Sequence, residues 1–293
     1  MKKLISAALV LATVLSFAGC SSSKKETLKV ATSPDFAPME FVDSSKKGQE
    51  SYVGFDITLA KYIAEGLGKE LEIVPMSFDA CMVAVEAGSV DMGISGFSWT
   101  AERANNYNFS DYYYAGDNEA EQTIVTTKAN EGKFTSAADF SGKKVAAQTG
   151  SLQFSLCKEQ LPADCEVVEV GDLTTAFLQL QNGDFDAIAV AMGQAKVFIS
   201  NNEETTALSG FSFEVDPATV GNVIMMQKGA DELTAKVNEL LAKAQADGLY
   251  EKWYSDALEL SGVDTATEVA YDDNGDVASE SESAGYERRV TLV

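Results

Sequence analysis

The sequence contains no histidine, and this absence argues against several kinds of catalytic site. Histidine is the commonest general base near neutral pH, a member of the Ser-His-Asp triad and a frequent metal ligand. Positive charge is also scarce: 22 Lys and Arg stand against 45 Asp and Glu, which gives a formal net charge of −23. Nucleic acid and anionic membrane surfaces repel such a chain. We therefore predict no catalytic residue, metal site, cofactor or nucleic-acid partner.

Cysteine is sparse as well, with four in the whole chain. Cys157 and Cys165 lie close together in "CKEQLPADC". Outside the cytoplasm this spacing allows a disulfide that closes a small loop, and two free thiols are the alternative. Cys81 falls on the apolar face of a predicted helix, so we expect it to be buried rather than reactive.

The N-terminus has the pattern of an export signal. Lys2 and Lys3 precede an apolar stretch that is too short for a stop-transfer helix, so residues 1–20 are predicted to be a signal peptide. The stretch ends in "FAGC", which resembles a bacterial lipobox with Phe where Leu or Val is usual. Cys20 is therefore the predicted lipidation site, and an ordinary secretory signal is the alternative. Residues 21–27 are small and polar and would form a tether.

The next part of the chain alternates between helix and strand patterns. "GFDITLAKYIAEGLG" predicts an amphipathic helix that Asp56 can cap and Gly68 can end. "ELEIVPM" predicts a strand, "SFDACMVAVEAG" a second helix capped by Ser77, and "VDMGISG" a buried strand. This alternation is typical of a parallel sheet covered by helices.

A similar pattern returns in the second half of the chain. Residues 80–96, "ACMVAVEAGSVDMGISG", align with residues 175–191, "TAFLQLQNGDFDAIAVA", and "KVATSPDF" resembles "KVAAQTGSLQ". Two lobes of similar α/β construction explain this similarity, and chance resemblance of two β-α-β units is the alternative. A last helix is predicted from Asp231. Residues 261–293 are acidic and polar, which predicts a disordered tail.

Arg103 follows a predicted strand end in "ISGFSWTAER". In parallel sheets, ligands collect beyond the carboxyl ends of strands. Gly96 ends such a strand, and Thr100 can cap a following helix with Arg103 in its first turn. A guanidinium beside backbone N–H groups and hydroxyls suits a carboxylate, which it holds through two parallel hydrogen bonds. The alternative is a surface ion pair from Arg103 to Glu102 or Asp111.

Several segments resemble, in order, the signature segments of bacterial extracellular solute-binding proteins for polar amino acids, which are the receptors of ATP-driven (ABC) importers. They are "ATSPDFAPMEF", "VGFDITLAKYIAEGLG", "MSFDACMVAVEAGSVDMGISGFSWTAER", "NFSDYYY", "GKKVAAQTGS", "NGDFDAIAV" and "ADGLYEKWY", within residues 28–257. The resemblance implies a two-lobed α/β fold of the type II periplasmic-binding-protein kind. Each lobe would be a mainly parallel sheet flanked by helices, and a two-strand hinge would join them. Lobe 1 would comprise residues 28–116 and 219–260, and lobe 2 residues 117–218.

The resemblance also implies a binding site for the ligand's α-carboxylate between the lobes. Arg103 would clamp the carboxylate. Ser98 and the backbone around Ser95 and Gly96 would assist from lobe 1, and Ser151 would assist at the mouth of lobe 2.

The rest of the ligand would contact aromatic and polar side chains. Phe36 and Phe78 correspond to positions that hold the ligand side chain between two rings, with ordinary core packing as the alternative. Gln153 corresponds to a polar contact. Trp99 is adjacent in sequence but is expected to point into the lobe, outside the site.

One position departs from the family pattern. Most amino-acid receptors of this family carry an aspartate for the ligand's α-ammonium shortly after the "FDAIAV" strand, and here that position is Ala191. A first-lobe position that is often aspartate is Ser33. A buried ammonium without a counter-charge costs several kcal/mol. Either another acid substitutes or the ligand lacks a conventional α-ammonium, and the candidate substitutes are Asp35, Glu40, Asp117 and Glu119.

The resemblance implies a non-catalytic receptor that binds a small carboxylated solute, an amino acid above all, and delivers it to an ABC permease and its ATPase. The protein would be a monomer, lipid-anchored outside the cytoplasm at the cell surface or in the periplasm. One alternative is a sensory or adhesive surface lipoprotein of the same fold. Another is a cleft enzyme similar to the dehydratases of aromatic amino-acid synthesis, with an acid or base among Asp35, Glu40 and Glu119.

Overall fold

The computed structural model describes residues 25–113 and 121–262, without the side chain of Ala218. The predicted signal peptide, the lipidation site Cys20 and the acidic tail from residue 263 onward lie outside the described residues. Asp117 and Glu119, considered above as ammonium partners, lie outside them as well.

Strands and helices alternate along the described chain, which confirms the α/β class. The strands are β1 (Thr27–Thr32), β2 (Asp35–Phe36), β3 (Glu40–Val42), β4 (Tyr52–Val53), β5 (Glu70–Pro75), β6 (Met92–Gly93), β7 (Tyr107–Phe109), β8 (Gln122–Thr127), β9 (Lys144–Gln148), β10 (Glu166–Val170), β11 (Ala187–Ala191), β12 (Thr206–Ser212) and β13 (Met225–Gln227). The α-helices are α1 (Phe55–Gly66), α2 (Phe78–Glu86), α3 (Leu152–Gln160), α4 (Leu173–Asn182), α5 (Met192–Ser200), α6 (Asp231–Ala246) and α7 (Leu249–Leu260).

A sheet with the strand order β5–β1–β6–β13–β7 forms the centre of lobe 1, the unit built from residues 27–109 and 225–260. β1 runs parallel to both neighbours, so that Val30 lies opposite Ile73 on one side and Met92 on the other. β13 is antiparallel to β6 and to β7. The sheet is therefore parallel at β5, β1 and β6, as the β-α-β pattern predicted. It is antiparallel around β13, the first strand after the chain returns from lobe 2.

Lobe 2, built from residues 122–212, repeats this arrangement. Its sheet has the order β10–β9–β11–β8–β12, with β9 parallel to β10 and β11 and with β8 antiparallel to β11 and β12. Residues 80–96 contain most of α2 and all of β6, and residues 175–191 contain most of α4 and all of β11. The near-repeat in the sequence is thus a repeat in the structure.

Helices cover both faces of each sheet and form one apolar core on each face. In lobe 1, α1, α6 and α7 contribute Leu59, Leu241 and Ala257 to one core, and α2 contributes Val85 to the other. In lobe 2, α3 lies on one face and α4 with Phe177 on the opposite face. A small antiparallel sheet, β2–β3–β4, extends lobe 1 towards lobe 2.

The chain passes from lobe 1 to lobe 2 between residues 113 and 121 and returns between residues 213 and 222. Residues 114–120 are outside the described residues, so the two-strand hinge and the lobe boundaries at residues 116 and 218 stay predictions.

Two local predictions in lobe 1 are wrong. The N-cap of α1 is Gly54, and Asp56 lies inside the helix. Position 54 requires glycine, because its φ angle is +117° and a Cβ there would lie 2.3 Å from the Met39 carbonyl oxygen. The chain after Thr100 forms a 3-10 turn over Arg103–Asn105 instead of an α-helix. The Thr100 hydroxyl oxygen still accepts a hydrogen bond from the Arg103 N–H at 3.1 Å.

The cysteines are free thiols in the described residues. The disulfide that the spacing of Cys157 and Cys165 allowed is therefore not formed in this structure. Cys157 points into the core under α3, and Cys165 packs against the edge of the same core. Apolar surroundings raise the pKa of both thiols, which disfavours the reactive thiolate. Cys81 is fully buried, as predicted.

Candidate ligand-binding cleft

A cleft between the lobes gathers residues from the ends of strands on both sides. The volume of the cleft, with its opening included, is about 470 Å³. Groups from both lobes meet across the cleft: Arg103 donates to Gly150, and Asp35 accepts from Gln148 and Leu173. A ligand the size of an amino acid therefore enters only when the lobes or these side chains move. The lining residues are Asp35, Phe36, Glu40, Phe78, Ser95, Gly96, Ser98, Arg103, Gln148, Ser151, Leu152, Gln153, Leu173, Ala189, Val190 and Gln194.

A second, wider groove, about 1140 Å³ with its opening included, lies between the lobes beside Pro34, Pro75 and Asp172. The residues that line it include no lysine or arginine. A cation that could hold a carboxylate is found in the first cleft, and we therefore take that cleft as the candidate site.

Arg103 carries the positive charge of the cleft. Its Nη1 donates to the Ser98 carbonyl oxygen at 2.7 Å, and its Nη2 donates to the Gly150 carbonyl oxygen of lobe 2 at 2.6 Å. Burial lowers the pKa of the guanidinium to about 10, which leaves it protonated at neutral pH. Within the described residues it forms no ion pair with an Asp or Glu, so the surface pairs with Glu102 or Asp111 are not formed. Arg103 is thus a half-buried guanidinium held by carbonyl oxygens, with no carboxylate in ion-pair contact within residues 25–113 and 121–262.

The N-terminus of α3 reaches the same place from lobe 2. Ser151 is the N-cap, and its hydroxyl oxygen accepts a hydrogen bond from the Phe154 N–H at 3.1 Å. Leu152 and Gln153 follow in the first turn and line the cleft. A helix N-terminus favours an anion through its N–H groups and its dipole. The Gln153 side-chain amide donates to Gln122 at 2.6 Å, so its orientation is fixed within lobe 2.

The loop after β6 forms the lobe 1 side of the site. The Ser95 hydroxyl donates to Glu40 at 2.6 Å and accepts from the Ser33 N–H at 2.9 Å. The Gly96 N–H donates to Asp56 at 2.9 Å. Both residues line the cleft, but these polar groups are bonded inside lobe 1. The Ser98 carbonyl oxygen positions Arg103.

Phe36 and Phe78 are both cleft residues from lobe 1. Phe36 lies on β2 next to Gly96, and Phe78 begins α2 with its ring centroid 4.8 Å from that of Phe97. The Arg103 guanidinium carbon lies 5.9 Å from the centroid of Phe78, within the range of a cation–π contact. Trp99 packs against the apolar core of lobe 1 under α2, as expected for a residue outside the site.

Asp35 joins the two lobes. Its carboxylate accepts hydrogen bonds from the Ser33 hydroxyl in lobe 1, and from the Gln148 amide at 3.0 Å and the Leu173 N–H at 2.7 Å in lobe 2. The Gln194 side-chain amide also donates to the Asp35 carbonyl oxygen at 3.0 Å. Burial raises the pKa of this carboxyl to about 6, although its hydrogen bonds act in the opposite direction. At neutral pH Asp35 is therefore an anion that lines the cleft.

Glu40 lies deeper than Asp35. Burial, followed by repulsion from the nearby Asp56, raises the pKa of Glu40 well above its usual range, which favours the protonated acid. Its Oε1 accepts from Ser95, and its Oε2 has no hydrogen-bond partner besides the Asp56 carboxylate in the described residues. Asp56 also accepts from the Tyr113 hydroxyl and the Gly96 N–H. The two acids form a structural pair under the cleft.

Sequence reasoning missed Gln148, Leu173 and Gln194, which the structure places in the cleft. Gln148 ends β9, as Gly96 follows β6, so the rule about strand ends could have found it. Gln194 lies in the first turn of α5, and no sequence motif singles it out. Ala191 is fully buried at the end of β11 and is not among the lining residues.

Two α/β lobes of the same connectivity, with a polar cleft between them, define a two-lobed solute-binding protein. Residues 28–258 match the family of bacterial extracellular solute-binding proteins, family 3, and the chain belongs to this family. Among the described residues, none of the helices is both long enough and apolar enough for a membrane crossing.

Relatives and solved structures agree with this assignment. A probable histidine-binding protein of Campylobacter jejuni is 32% identical over 86% of this chain and 96% of its own length. An arginine-binding extracellular protein of Bacillus subtilis is 30% identical over 80% of this chain and 89% of its own length. An amino acid ABC transporter substrate-binding protein from Streptococcus pneumoniae, solved with L-arginine, is 34% identical, with a TM-score of 0.73 over 80% of this chain and 95% of its own. The family and these relatives are substrate-binding proteins rather than enzymes.

Proposed function

We propose that this protein is an extracytoplasmic receptor that binds an amino acid between its two lobes and delivers it to an ABC importer. The observation that carries the proposal is the Arg103 guanidinium, which forms no ion pair within the described residues and lies in the cleft beside the N-terminus of α3. Both groups attract an anion, and they come from different lobes. The amino-acid-binding relatives support the same function.

In this function Arg103 holds the ligand's α-carboxylate through two parallel hydrogen bonds. Ser98, the backbone around Ser95 and Gly96, and Ser151 complete the carboxylate site. Phe36 and Phe78 flank the ligand's side chain, and Gln153 makes a polar contact on the lobe 2 side. The lobes move about the hinge near residues 116 and 218, and the ligand keeps them together because it bonds to both.

The receptor is not an enzyme in this proposal, and it acts as a monomer. Glu40 lines the cleft, but its carboxyl accepts from Ser95 and lies against Asp56 inside lobe 1, which supports a structural role rather than that of a catalytic acid or base. Cys20 carries the lipid that anchors the chain outside the cytoplasm, and residues 21–27 tether it. The permease and ATPase subunits of the importer are its protein partners.

Calorimetric titration of the purified protein with the twenty common L-amino acids tests the proposal. We expect micromolar or tighter binding of at least one, and a loss of about 100-fold in affinity in Arg103→Ala, because a bidentate charge-assisted contact is removed. The matched control is Lys228→Ala. Lys228 also donates to two carbonyl oxygens, those of Ala104 and Tyr107, but it does not line the cleft.

The control should bind like the wild-type protein. Wild-type protein that binds no amino acid, or an Arg103→Ala variant that binds as tightly as the control, would reject the proposal.

A further inference from the structure

Gln194 presents a hydrogen-bond acceptor that the protein does not use. The residue lies in the first turn of α5, is only 4% exposed, and lines the cleft. Its Oε1 is buried and has no hydrogen-bond partner in the described part of the chain. Buried polar atoms are nearly always paired, so an unpaired carbonyl oxygen at a binding site indicates a donor on the ligand.

The orientation of the side-chain amide is set by its neighbour. The Asp35 carbonyl oxygen can only accept a hydrogen bond, and the Gln194 nitrogen lies 3.0 Å from it. The NH₂ group must therefore face Asp35, and Oε1 must point away from it. Reversing the amide would place two oxygens against each other.

The position of Gln194 matters because Ala191, one turn earlier, cannot accept a hydrogen bond through its side chain. In the family pattern this position carries the aspartate that binds the ligand's α-ammonium, whereas Ala191 of this chain is fully buried. Asp35 supplies a negative charge beside Gln194, but its two carboxylate oxygens already accept three hydrogen bonds from protein groups. Asp35 thus supplies the negative charge, and Gln194 Oε1 supplies the hydrogen-bond acceptor that no protein group occupies in the described residues.

We infer that Gln194 Oε1 accepts a hydrogen bond from the α-ammonium of the bound amino acid, with Asp35 as the counter-charge, in place of the aspartate missing at position 191. This inference rests on the proposed function. It makes Gln194 a residue that distinguishes amino acids from carboxylates that lack the α-ammonium.

The test compares each ligand with its deaminated analogue. We would measure the dissociation constants of L-arginine, L-histidine and L-glutamine, and of 5-guanidinopentanoate, 3-(imidazol-4-yl)propanoate and 4-carbamoylbutanoate. For any pair that the wild-type protein binds, Gln194→Met should weaken binding of the amino acid about tenfold and change that of the analogue less than about threefold. Gln194→Asn, which retracts the amide by one methylene, should shift the preference in the same direction.

Gln181→Met is the matched control, because Gln181 bonds to Asn202 and Thr205 on lobe 2, outside the cleft. An equal loss for both members of a pair, or no loss, would overturn the inference and leave the receptor function intact. A structure of the complex gives the direct check. The α-nitrogen should lie within about 3.2 Å of Oε1, and any other ligand group at that oxygen would also overturn the inference. Wild-type protein that binds no amino acid would instead reject the proposed function.

Discussion

Two independent constraints require glycine at position 96, which lines the cleft. Its φ angle is +54°, a left-handed conformation that side chains with a Cβ disfavour. A Cβ at this position would also lie 2.9 Å from Cε1 of Phe36, closer than carbon atoms tolerate. The absence of a side chain at position 96 therefore allows the Phe36 ring to form one wall of the cleft.

The two constraints can be separated by a pair of variants. Gly96→Ala should lower the free energy of unfolding by about 2–3 kcal/mol, because it adds the steric contact with Phe36 to the backbone strain. Gly68→Ala has a similar positive φ of +70° but meets no atom within 4 Å, so it should cost about 1 kcal/mol. Urea denaturation gives both values. Equal losses in the two variants would mean that Phe36 moves aside without cost.

At the scale of residues, the sequence predicted the cleft position of Arg103 from its place after a strand end, and the family resemblance added Phe36, Phe78 and Ser151. Gln194 could not be predicted. Its orientation depends on a carbonyl oxygen 159 residues earlier in the chain, and a glutamine has no chemistry of its own that would mark it. The same holds for the Asp35 contacts, which exist because the lobes face each other.

The N-cap residue of helix α3 also lines the cleft. Ser151 caps the helix, and the same residue lies beside Arg103 in the cleft. The turn before it supplies the Gly150 carbonyl oxygen that accepts from Arg103. A strand, a tight turn and a capped helix therefore position lobe 2 groups around the proposed carboxylate site.

Replacing the cap should affect these two roles together. Ser151→Ala removes the hydrogen bond to the Phe154 N–H, and we expect a loss of about 1 kcal/mol in the free energy of unfolding. It should also weaken amino-acid binding severalfold. Ser136→Ala, which removes a capping hydroxyl from the 3-10 turn at Ala137–Phe140, is the control. It should lower stability but leave the dissociation constant unchanged. Unchanged binding in Ser151→Ala would assign Ser151 to helix stability alone.

At the scale of elements, the near-repeat was informative because the parallel β-α-β units of both lobes are local in sequence. The alternating strand and helix patterns predict the parallel pairing of β1 with β5 and β6 in lobe 1, and of β9 with β10 and β11 in lobe 2. The antiparallel direction of β8 and β13 could not be predicted, since a short apolar run does not encode the direction of its partner strand. Their direction is set by where the chain crosses between lobes.

For the whole molecule, buried acids link stability to pH. Burial raises the pKa values of Asp35 and Asp56 to about 6, from an ordinary value of 3.8, and raises that of Glu40 well above its usual range. Between pH 4 and 6 the folded protein holds protons that the unfolded chain has released. Stability therefore falls as the pH rises through this window. Asp43 is an exposed acid whose pKa is lowered to about 2, so it stabilises the folded protein at neutral pH. That stabilisation is lost only as the pH falls below about 4, outside this window.

We expect the free energy of unfolding to decrease by at least about 3 kcal/mol between pH 5 and 7. Asp35 and Asp56, with pKa values near 6, each contribute about 1.4 kcal/mol, and the raised pKa of Glu40 acts in the same direction. Repulsion within a chain of net charge −23 acts in the same direction but is screened by salt, so the measurement belongs in about 0.5 M NaCl. Glu40→Gln keeps the hydrogen bonds of the protonated acid and removes its titration, so its curve should be flatter above pH 5. Asp43→Asn should leave the slope between pH 5 and 7 unchanged. A rise in the free energy of unfolding of the wild-type protein from pH 5 to 7 would contradict this prediction. It would mean that the carboxyls are hydrated, which requires lobes that are open enough for water to reach them.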